Sequence, residues 1–225
     1  MSEGSDVRRV LAASLTLSAA TGVFALSFGV LAVGAGASVL QACVLSLATF
    51  TGASQMSAMS VIAAGGGLGA ALGGSLLLAA RNGVYGLVLA PRFSGRLAIR
   101  LVAAQFVIDE TTAMMTAQRD RRLAAVAFWS TAIALFTCWN LGTFVGALIG
   151  EAIYPQRWGL DVAFTAAFVA MLAPHLATRQ GRRAALLGAV ICLVLVPFAP
   201  VGLPVLAAGA AIFTGLSTPP AEPAA

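Results

Sequence analysis

The sequence predicts an all-α, polytopic membrane helix bundle of about seven spans, plus or minus one, at about 20–25 residues per span and turn. Three observations carry that expectation. Hydrophobic residues make up 60% of the 225 and charged residues only 9%, against about 45–50% and about 25% in soluble domains. The mean hydropathy is +0.95, so the chain cannot hide its apolar surface by folding on itself in water, and a soluble globular enzyme is excluded. The 13 basic residues are all Arg, and most fall in short clusters between apolar runs: Arg8/Arg9, Arg92/Arg96/Arg100, Arg119/Arg121/Arg122 and Arg179/Arg182/Arg183. That is the pattern of cytoplasmic loops under the positive-inside rule, so the net charge of +5 does not indicate a nucleic-acid partner.

The elements follow in order. Val10 to Val33 is an apolar run of 24 residues, about 36 Å as a helix. It is too long for a signal-peptide core of about 7–15 residues, although Ala35-Gly36-Ala37 resembles a cleavage site. It therefore reads as an uncleaved first span with a cytoplasmic N-terminus. Val39 to Ala64 is apolar but interrupted by Thr49, Thr51, Ser54 and Gln55, with Gly52 weakening the helix among them. A Gly65-Gly66-Gly67 turn precedes a third run, Leu68 to Ala90, which Pro91 ends. The fourth run, Leu101 to Ala117, is short and carries Asp109 and Glu110 at its centre. Leu123 to Gly150 bears Trp139 and Asn140. Gly159-Leu160-Asp161 starts the run to Ala177, and Ala184 to Val196 and Val201 to Leu216 follow, separated by Pro197 and Pro200. Residues 1–216 read as one transmembrane domain, and 217–225, with three prolines, as a disordered tail.

The arginines test the topology. Eight simple crossings from a cytoplasmic N-terminus leave Arg92/Arg96/Arg100 outside, against the rule. Making the segments near 49–55 and 105–112 re-entrant puts every basic cluster inside. Non-helical backbone at membrane depth is tolerated only where protein or a water-filled cavity surrounds it, so that alternative implies a translocation site. The residue pattern leaves both open.

Polar groups inside the apolar runs mark candidate sites. A carboxylate at the bilayer centre costs about 2.5–3.5 kcal/mol, so Asp109 and Glu110 lie either at the interface, solvated, or against a cavity, where one can carry a coupling proton. Consecutive helical residues point about 100° apart, so both face one cavity only if it is wide or the helix is broken. Arg81 shares a helix face with Tyr85 and has Asn82 beside it. It either snorkels to the surface, pairs with Asp109 or Glu110, or holds a substrate carboxylate. Gly52, Ser54 and Gln55 offer free backbone and side-chain donors if the helix breaks there, and a half-helix N-terminus attracts a carboxylate; close packing of small residues is the alternative. Asn140 and Thr143 lie three apart on one face. Gly142, Gly146 and Gly150 form a stripe for packing on a neighbouring helix or a partner subunit. Asp161 reads as a helix cap, with a role in transport the alternative.

Cys43, Cys138 and Cys192 lie far apart without metal spacing, and lone His175 makes no metal site, so no metal or cofactor is expected. Ser54 with His175 could pair as in a rhomboid-like intramembrane serine protease, but His175 follows Pro174 near Arg179, at a shallow depth. The expectation is a non-enzyme.

Several stretches together carry a family resemblance: Phe28-Gly29-Val30-Leu31-Ala32, Phe50-Thr51-Gly52-Ala53-Ser54-Gln55, Tyr85-Gly86 with Leu89-Ala90-Pro91, Asp109-Glu110, Trp139 with Gly142-Thr143 and Gly146-Ala147, and Gly159-Leu160-Asp161. In this order and spacing, over about residues 20–175, the chain resembles the AzlC family, the large subunit of bacterial branched-chain amino-acid exporters. Family members often carry an Asn-Leu-Arg-His-like stretch before the Tyr. Here Ala79-Ala80-Arg81-Asn82 keeps the Arg and loses the Asn and His, and the proline common before the Phe-Gly stretch is absent.

The resemblance implies a bacterial inner-membrane exporter of leucine, isoleucine, valine or similar amino acids, working with a small AzlD-like subunit of about four spans. On that expectation Gly52, Ser54 and Gln55 bind the substrate carboxylate, with Arg81, Asn82, Tyr85 and Asn140 completing the site. Asp109 or Glu110 meets the ammonium or carries the proton. A membrane scaffold that assembles through its glycine stripe, without transporting, is the alternative from another class.

Overall fold

The computed structural model describes residues 3–93, 96–152, 169 and 172–215. Among them every regular element is helical: α1 Glu3–Gly34, α2 Val39–Thr49, α3 Gly52–Ala63, α4 Leu68–Leu89, α5 Leu97–Gln105, α6 Asp109–Thr116, α7 Arg121–Ala152, α8 Arg179–Leu195 and α9 Leu203–Ala208, with 3-10 turns at Ala90–Arg92, Ala173–Ala177 and Gly209–Gly215. Three helical segments, Gly4–Gly34, Leu68–Arg92 and Arg121–Ala152, are long and apolar enough to cross a membrane. The all-α membrane bundle is thus the fold, and its outward leucines on α4, such as Leu68, Leu72 and Leu87, suit lipid contact. Asp161, most of the run 159–177 and the tail 217–225 lie outside the described residues.

α1 and α7 form the spine, and they run parallel. Ser14 meets Ser130 and Thr131. Further along, Gly22 lies on Cys138, Gly146 on Leu26 and Gly150 on Val30. The predicted glycine stripe is what allows this approach. A methyl group on Gly142 would meet the Gly22 carbonyl, one on Gly146 the Leu26 carbonyl, and one on Gly29 the Thr143 carbonyl. The stripe is thus filled from within the chain, by α1, and does not offer a partner subunit the surface that the scaffold alternative requires.

Both interrupted runs are hairpins. After α1, Gly36 in the left-handed region closes the helix with Ala37 N donating to Ala32 O and Gly36 N to Val33 O, the Schellman pattern that glycine permits. Ser38 and Gln41 then cap α2 reciprocally. α2 stops at Phe50, whose φ of 36° is left-handed, and α3 turns back. Gln55 Nε2 on the first turn of α3 donates to Leu45 O of α2 at 2.9 Å, a reach that a continuing helix could not make across ten residues, about 15 Å of rise. At its far end α3 brings Met59 and Ile62 level with Ala35, Gly36 and Gln41, around a second cavity.

The second break follows the same plan from the opposite end. The fourth run is not one helix with acids at its centre. α5 ends at Gln105, Phe106–Ile108 form the tip, and α6 starts with Asp109 and Glu110 as its first two residues. Thr111 fastens the tip: its hydroxyl donates to Phe106 O and accepts from Ile108 N at 3.2 Å. α6 then descends, so that Met115 O accepts from Arg92 Nη1 at the foot of α4, beside Phe93 and Phe128, whose rings are 4.8 Å apart. The tips of the two hairpins meet at mid-bundle, where Phe50 and Phe106 pack edge to face and Gln105 Nε2 donates to Ala48 O.

This geometry selects the re-entrant alternative over eight simple crossings. The N-terminus of α1, the foot of α4 with Arg92, the α5–α6 ends and the start of α7 lie at one end. α8 joins them: Val201 and Gly202, beyond its C-terminus, reach Gly66, Val61 and Ala70 at the opposite end, so Arg179, Arg182 and Arg183 at its start face the arginine end. Every described arginine except Arg81 therefore lies at that end.

Candidate functional site

A cavity of about 360 Å³ lies where the two hairpin tips face α1, α4 and α7, lined by Ala20, Thr21, Phe24, Phe50, Thr51, Gly52, Ala53, Arg81, Asn82, Ile108, Asp109, Glu110, Leu135 and Trp139. Ligand sites typically span about 300–1,000 Å³ and carry a few polar groups on apolar walls. The apolar wall here is aromatic. Trp139 packs on Phe24 and Phe28 with centroids 6.4 and 6.3 Å apart, and Phe50 packs on Phe136 at 5.0 Å.

Two helix N-termini converge on this space. In α3 the first helical donor is Gln55 N, to Thr51 O, and Thr51 supplies no side-chain cap. The N–H groups of Gly52, Ala53 and Ser54 are therefore turned out of the helix at its positive end, the arrangement that suits an anion. In α6 the two acids occupy the first turn, where the helix dipole stabilises negative charge. Breaking the helix at 106–108 is also what lets Asp109 and Glu110 line one cavity despite being adjacent.

Asp109 is held twice. Its Oδ2 is 2.8 Å from Arg81 Nη2 and its Oδ1 accepts from the Tyr85 hydroxyl at 2.7 Å. Arg81 and Tyr85 are one helical turn apart on α4, so one face of that helix grips one carboxylate. Arg81 thus pairs with an acid on another helix and does not snorkel away. The pair keeps 35% and 39% of its side-chain surface exposed, toward the cavity. Among the described residues two acids stand around this one cation, and Glu110 makes no ion pair with any of them. Arg81 Nε and Asn82 Oδ1 are buried polar atoms without a partner among the described residues.

The structure therefore brings together Gly52, Arg81, Asn82, Asp109 and Glu110 on the cavity wall, with Tyr85 one contact behind. It does not bring Ser54, Gln55 or Asn140 there. Gln55 is committed elsewhere: its amide donates to Leu45 O at 2.9 Å and to Thr49 Oγ1 at 2.6 Å, and its carbonyl accepts from Trp139 Nε1 at 3.2 Å. It positions the hairpin and the indole. Ser54 is buried with its hydroxyl unpartnered among the described residues, off the cavity wall. Asn140 Nδ2 donates to Phe136 O of its own helix, and Thr143 pairs with Ser46 at 3.2 Å, so these two do not form a joint polar face. His175 sits in the exposed 3-10 turn before α8, at the arginine end, so the geometry forms no Ser54–His175 pair.

Sequence reasoning missed Thr21, Phe24, Phe50, Ile108, Leu135 and Trp139. Of these Trp139 carried a signal: a tryptophan at mid-span, far from the interfacial belts where the residue is usual.

Comparison with known proteins agrees with this architecture. Two relatives, each named "Uncharacterized membrane protein", come from Helicobacter pylori strains 26695 and J99. Each is 27% identical over 175 residues, covering 76% of this chain and 77% of the relative. The chain has no significant match among solved structures. The family model described as AzlC protein matches residues 16–153, the stretch from within α1 to the end of α7 that holds every wall of the cavity, and the chain belongs to the AzlC family.

Proposed function

We propose that this chain is the large subunit of a proton-coupled exporter of branched-chain or similar small apolar amino acids in the bacterial inner membrane. One observation carries the reading: a single cavity joins an uncapped helix N-terminus, an Arg–Asp pair with an extra carboxylate, and an aromatic and aliphatic wall. An amino acid has those three faces. Its carboxylate fits the N–H groups at Gly52 and Ala53 and its ammonium fits Glu110. Its side chain fits Phe24, Phe50, Leu135 and Trp139, and one methylene in such a wall is worth about 1–3 kcal/mol, so selectivity among Val, Leu and Ile is loose.

Asp109, held by Arg81 and Tyr85, serves as the fixed counter-charge, which leaves Glu110 to bind the ammonium or carry the proton. Neutral Glu110 balances the site's charge when it is empty; ionised Glu110 pairs with the ammonium when it is filled. With all described arginine clusters at one end, the positive-inside rule makes that end, and the N-terminus, cytoplasmic. A small AzlD-like subunit of about four spans completes the transporter, and the lightly covered α4, with 11% of its apolar window buried against 44% for α1, leaves surface for it.

The test is efflux from cells preloaded with labelled leucine, with and without this chain and with and without the small subunit. Faster efflux when both are present is the expected result. No efflux of leucine, isoleucine or valine from cells with both proteins inserted in the membrane would overturn the assignment.

A further inference from the structure

Below the cavity, on the side of the arginine end, the α1–α7 interface changes character. From Gly22 onward it is made by Gly22, Ala25, Gly29, Gly142 and Gly146, with backbones in close approach. Toward the arginine end the same interface is made by hydroxyls. Ser14, Ser18 and Thr21 stand at i, i+4 and i+7, one face of α1, and α7 presents Ser130 and Thr131. Ser14 Oγ lies 2.9 Å from both Ser130 Oγ and Thr131 Oγ1. Thr21 reaches the cavity wall. Ser14, Ser18 and Thr131 are all fully buried. The Ser18 hydroxyl has no partner among the described residues.

Close packing does not require these hydroxyls, since alanine and glycine achieve it two turns further on. A buried hydroxyl without a partner costs about 1–3 kcal/mol, and ordered water is what usually satisfies such a group. We propose that Ser14, Ser18, Thr21, Ser130 and Thr131 line a proton path that joins the arginine end to the cavity. The proposal rests on the proton-coupled reading above.

The path covers about 10 Å from Thr21 to Ser14, seven residues of helix. Ser14 and Ser18 are closed to water at rest and the Thr21 hydroxyl rests on Leu17 O, so the path conducts when these side chains turn and water enters between them. A hydroxyl accepts a proton on a lone pair and releases its own, so it passes charge without ionising. One proton leaves the Glu110 carboxyl, each hydroxyl or water takes one and gives one, and one emerges beyond Ser14. The charged and titratable groups facing the cavity end are Asp109, Glu110, Arg81 and Tyr85. Those around the far end are Asp6, Arg8 and Arg9 of α1 with Asp120, Arg121 and Arg122 at the start of α7. Between Arg9 and the end of α1, and between Arg122 and Glu151 of α7, neither helix carries a charge. The Cys138 thiol stands at the level of Gly22, and from there toward the arginine end the hydroxyls are the groups on this interface able to relay a proton.

The experiment uses inside-out membrane vesicles from cells making the full chain with its proposed small subunit, and labelled leucine as the probe. Two fluxes are compared: transport driven by a proton gradient, and leucine–leucine exchange with no gradient. A positioned proton-transfer group is worth about 100-fold or more; with water able to fill part of the gap, Ser18→Ala should lower gradient-driven transport about tenfold. Exchange should stay within about twofold, since no net proton moves in it, and Ser18→Thr, which restores the hydroxyl, should recover the driven flux. Unchanged driven transport in both Ser18→Ala and Ser14→Ala overturns the path while leaving the coupled exporter standing. Equal loss of both fluxes, not rescued by Ser18→Thr, assigns Ser18 to packing and also overturns the path. A wild type that exchanges leucine but ignores the gradient, or moves no leucine, overturns the coupled reading and the path together.

Discussion

Phe50 and Phe106, one at the tip of each re-entrant hairpin, meet edge to face with ring centroids 5.9 Å apart. The two hairpins enter from opposite ends, so this contact is where they register against one another. Phe106 also packs on Trp129 at 6.2 Å and Phe136 at 5.6 Å. Aromatic pairs are worth about 0.5–1.5 kcal/mol each beyond their area. Phe106→Ala, losing three of them, should therefore cost about 2–4 kcal/mol. The check is thermal unfolding in detergent, where Phe106→Ala should melt well below wild type and Phe106→Leu between the two.

The Arg81–Asp109 pair should be interdependent. Removing one partner of a buried pair costs about 3–5 kcal/mol; with about a third of each side chain exposed, roughly 1–3 kcal/mol is expected here. Arg81→Gln leaves Asp109 and Glu110 without a cation and should be the worse single change. The double variant Arg81→Gln/Asp109→Asn should recover stability relative to Arg81→Gln alone. A double-mutant cycle on melting temperature measures this, and strict additivity would show the pair to be uncoupled.

Both breaks were legible in the sequence, because Thr49, Thr51, Ser54 and Gln55 around Gly52, and two adjacent acids, each conflict with a continuous apolar helix. So was the link from Arg81 to an acid on another helix, since an intramembrane guanidinium needs an anion. The direction in which each hairpin turns was not legible: a broken span and a re-entrant pair have the same composition. Gln55 decides it by reaching Leu45 O. The apolar wall was hidden for a related reason. Leu135 facing a cavity and Leu141 facing lipid are the same residue type on the same helix, and only packing separates them. Gln55 and Asn140 stand off the cavity because their amides are engaged nearby: Gln55 bonds Leu45 O, Thr49 and Trp139, and Asn140 Nδ2 bonds Phe136 O of its own helix, with its Oδ1 left without a partner among the described residues.

The glycine stripe gives a prediction about folding. Gly142→Val and Gly146→Leu put side-chain carbon against the carbonyls of Gly22 and Leu26, where there is backbone and no flexible side chain to move. Overpacking costs about 1–3 kcal/mol when neighbours can adjust, and here the two longest helices must part instead. Both variants should be degraded or aggregate when the chain is made without any partner subunit, as read by size-exclusion chromatography in detergent. Normal monodisperse protein that fails only to bind a second subunit would return the stripe to a partner interface.

Glu110 and Asp109 should separate functionally. Asp109 is bound by Arg81 and Tyr85, while Glu110 lines the same cavity without an ion pair among the described residues. Glu110→Gln should lose the response to a proton gradient altogether, while leucine exchange, deprived of the carboxylate that meets the ammonium, should fall but persist. Asp109→Asn should weaken both fluxes, because it frees Arg81 and lets it turn on Glu110. Paired exchange and gradient-driven measurements distinguish them. If both variants respond to the gradient as wild type does, neither carboxyl carries the coupling proton.

Gly52 offers the sharpest test of the cavity. A Cβ there would stand 2.7 Å from Trp139 Cη2 and within 3.3 Å of two further ring atoms. The indole cannot simply retreat: Gln55 holds its N–H, and Phe24 and Phe28 pack on it. Gly52→Ala should therefore push Trp139 into the cavity or displace the free N–H groups at the start of α3, and leucine efflux should fall about tenfold, as a misplacement of about 1 Å can cost 100-fold. Alanine is the better helix former by about 1 kcal/mol, so the chain should still fold and insert. Trp139→Phe, smaller and without the N–H, should rescue Gly52→Ala in the double variant, because the space that the methyl needs is the space the indole's outer ring vacates. Failure of that rescue, with both proteins correctly inserted, would place the defect in the backbone of α3 and not in the contact with Trp139.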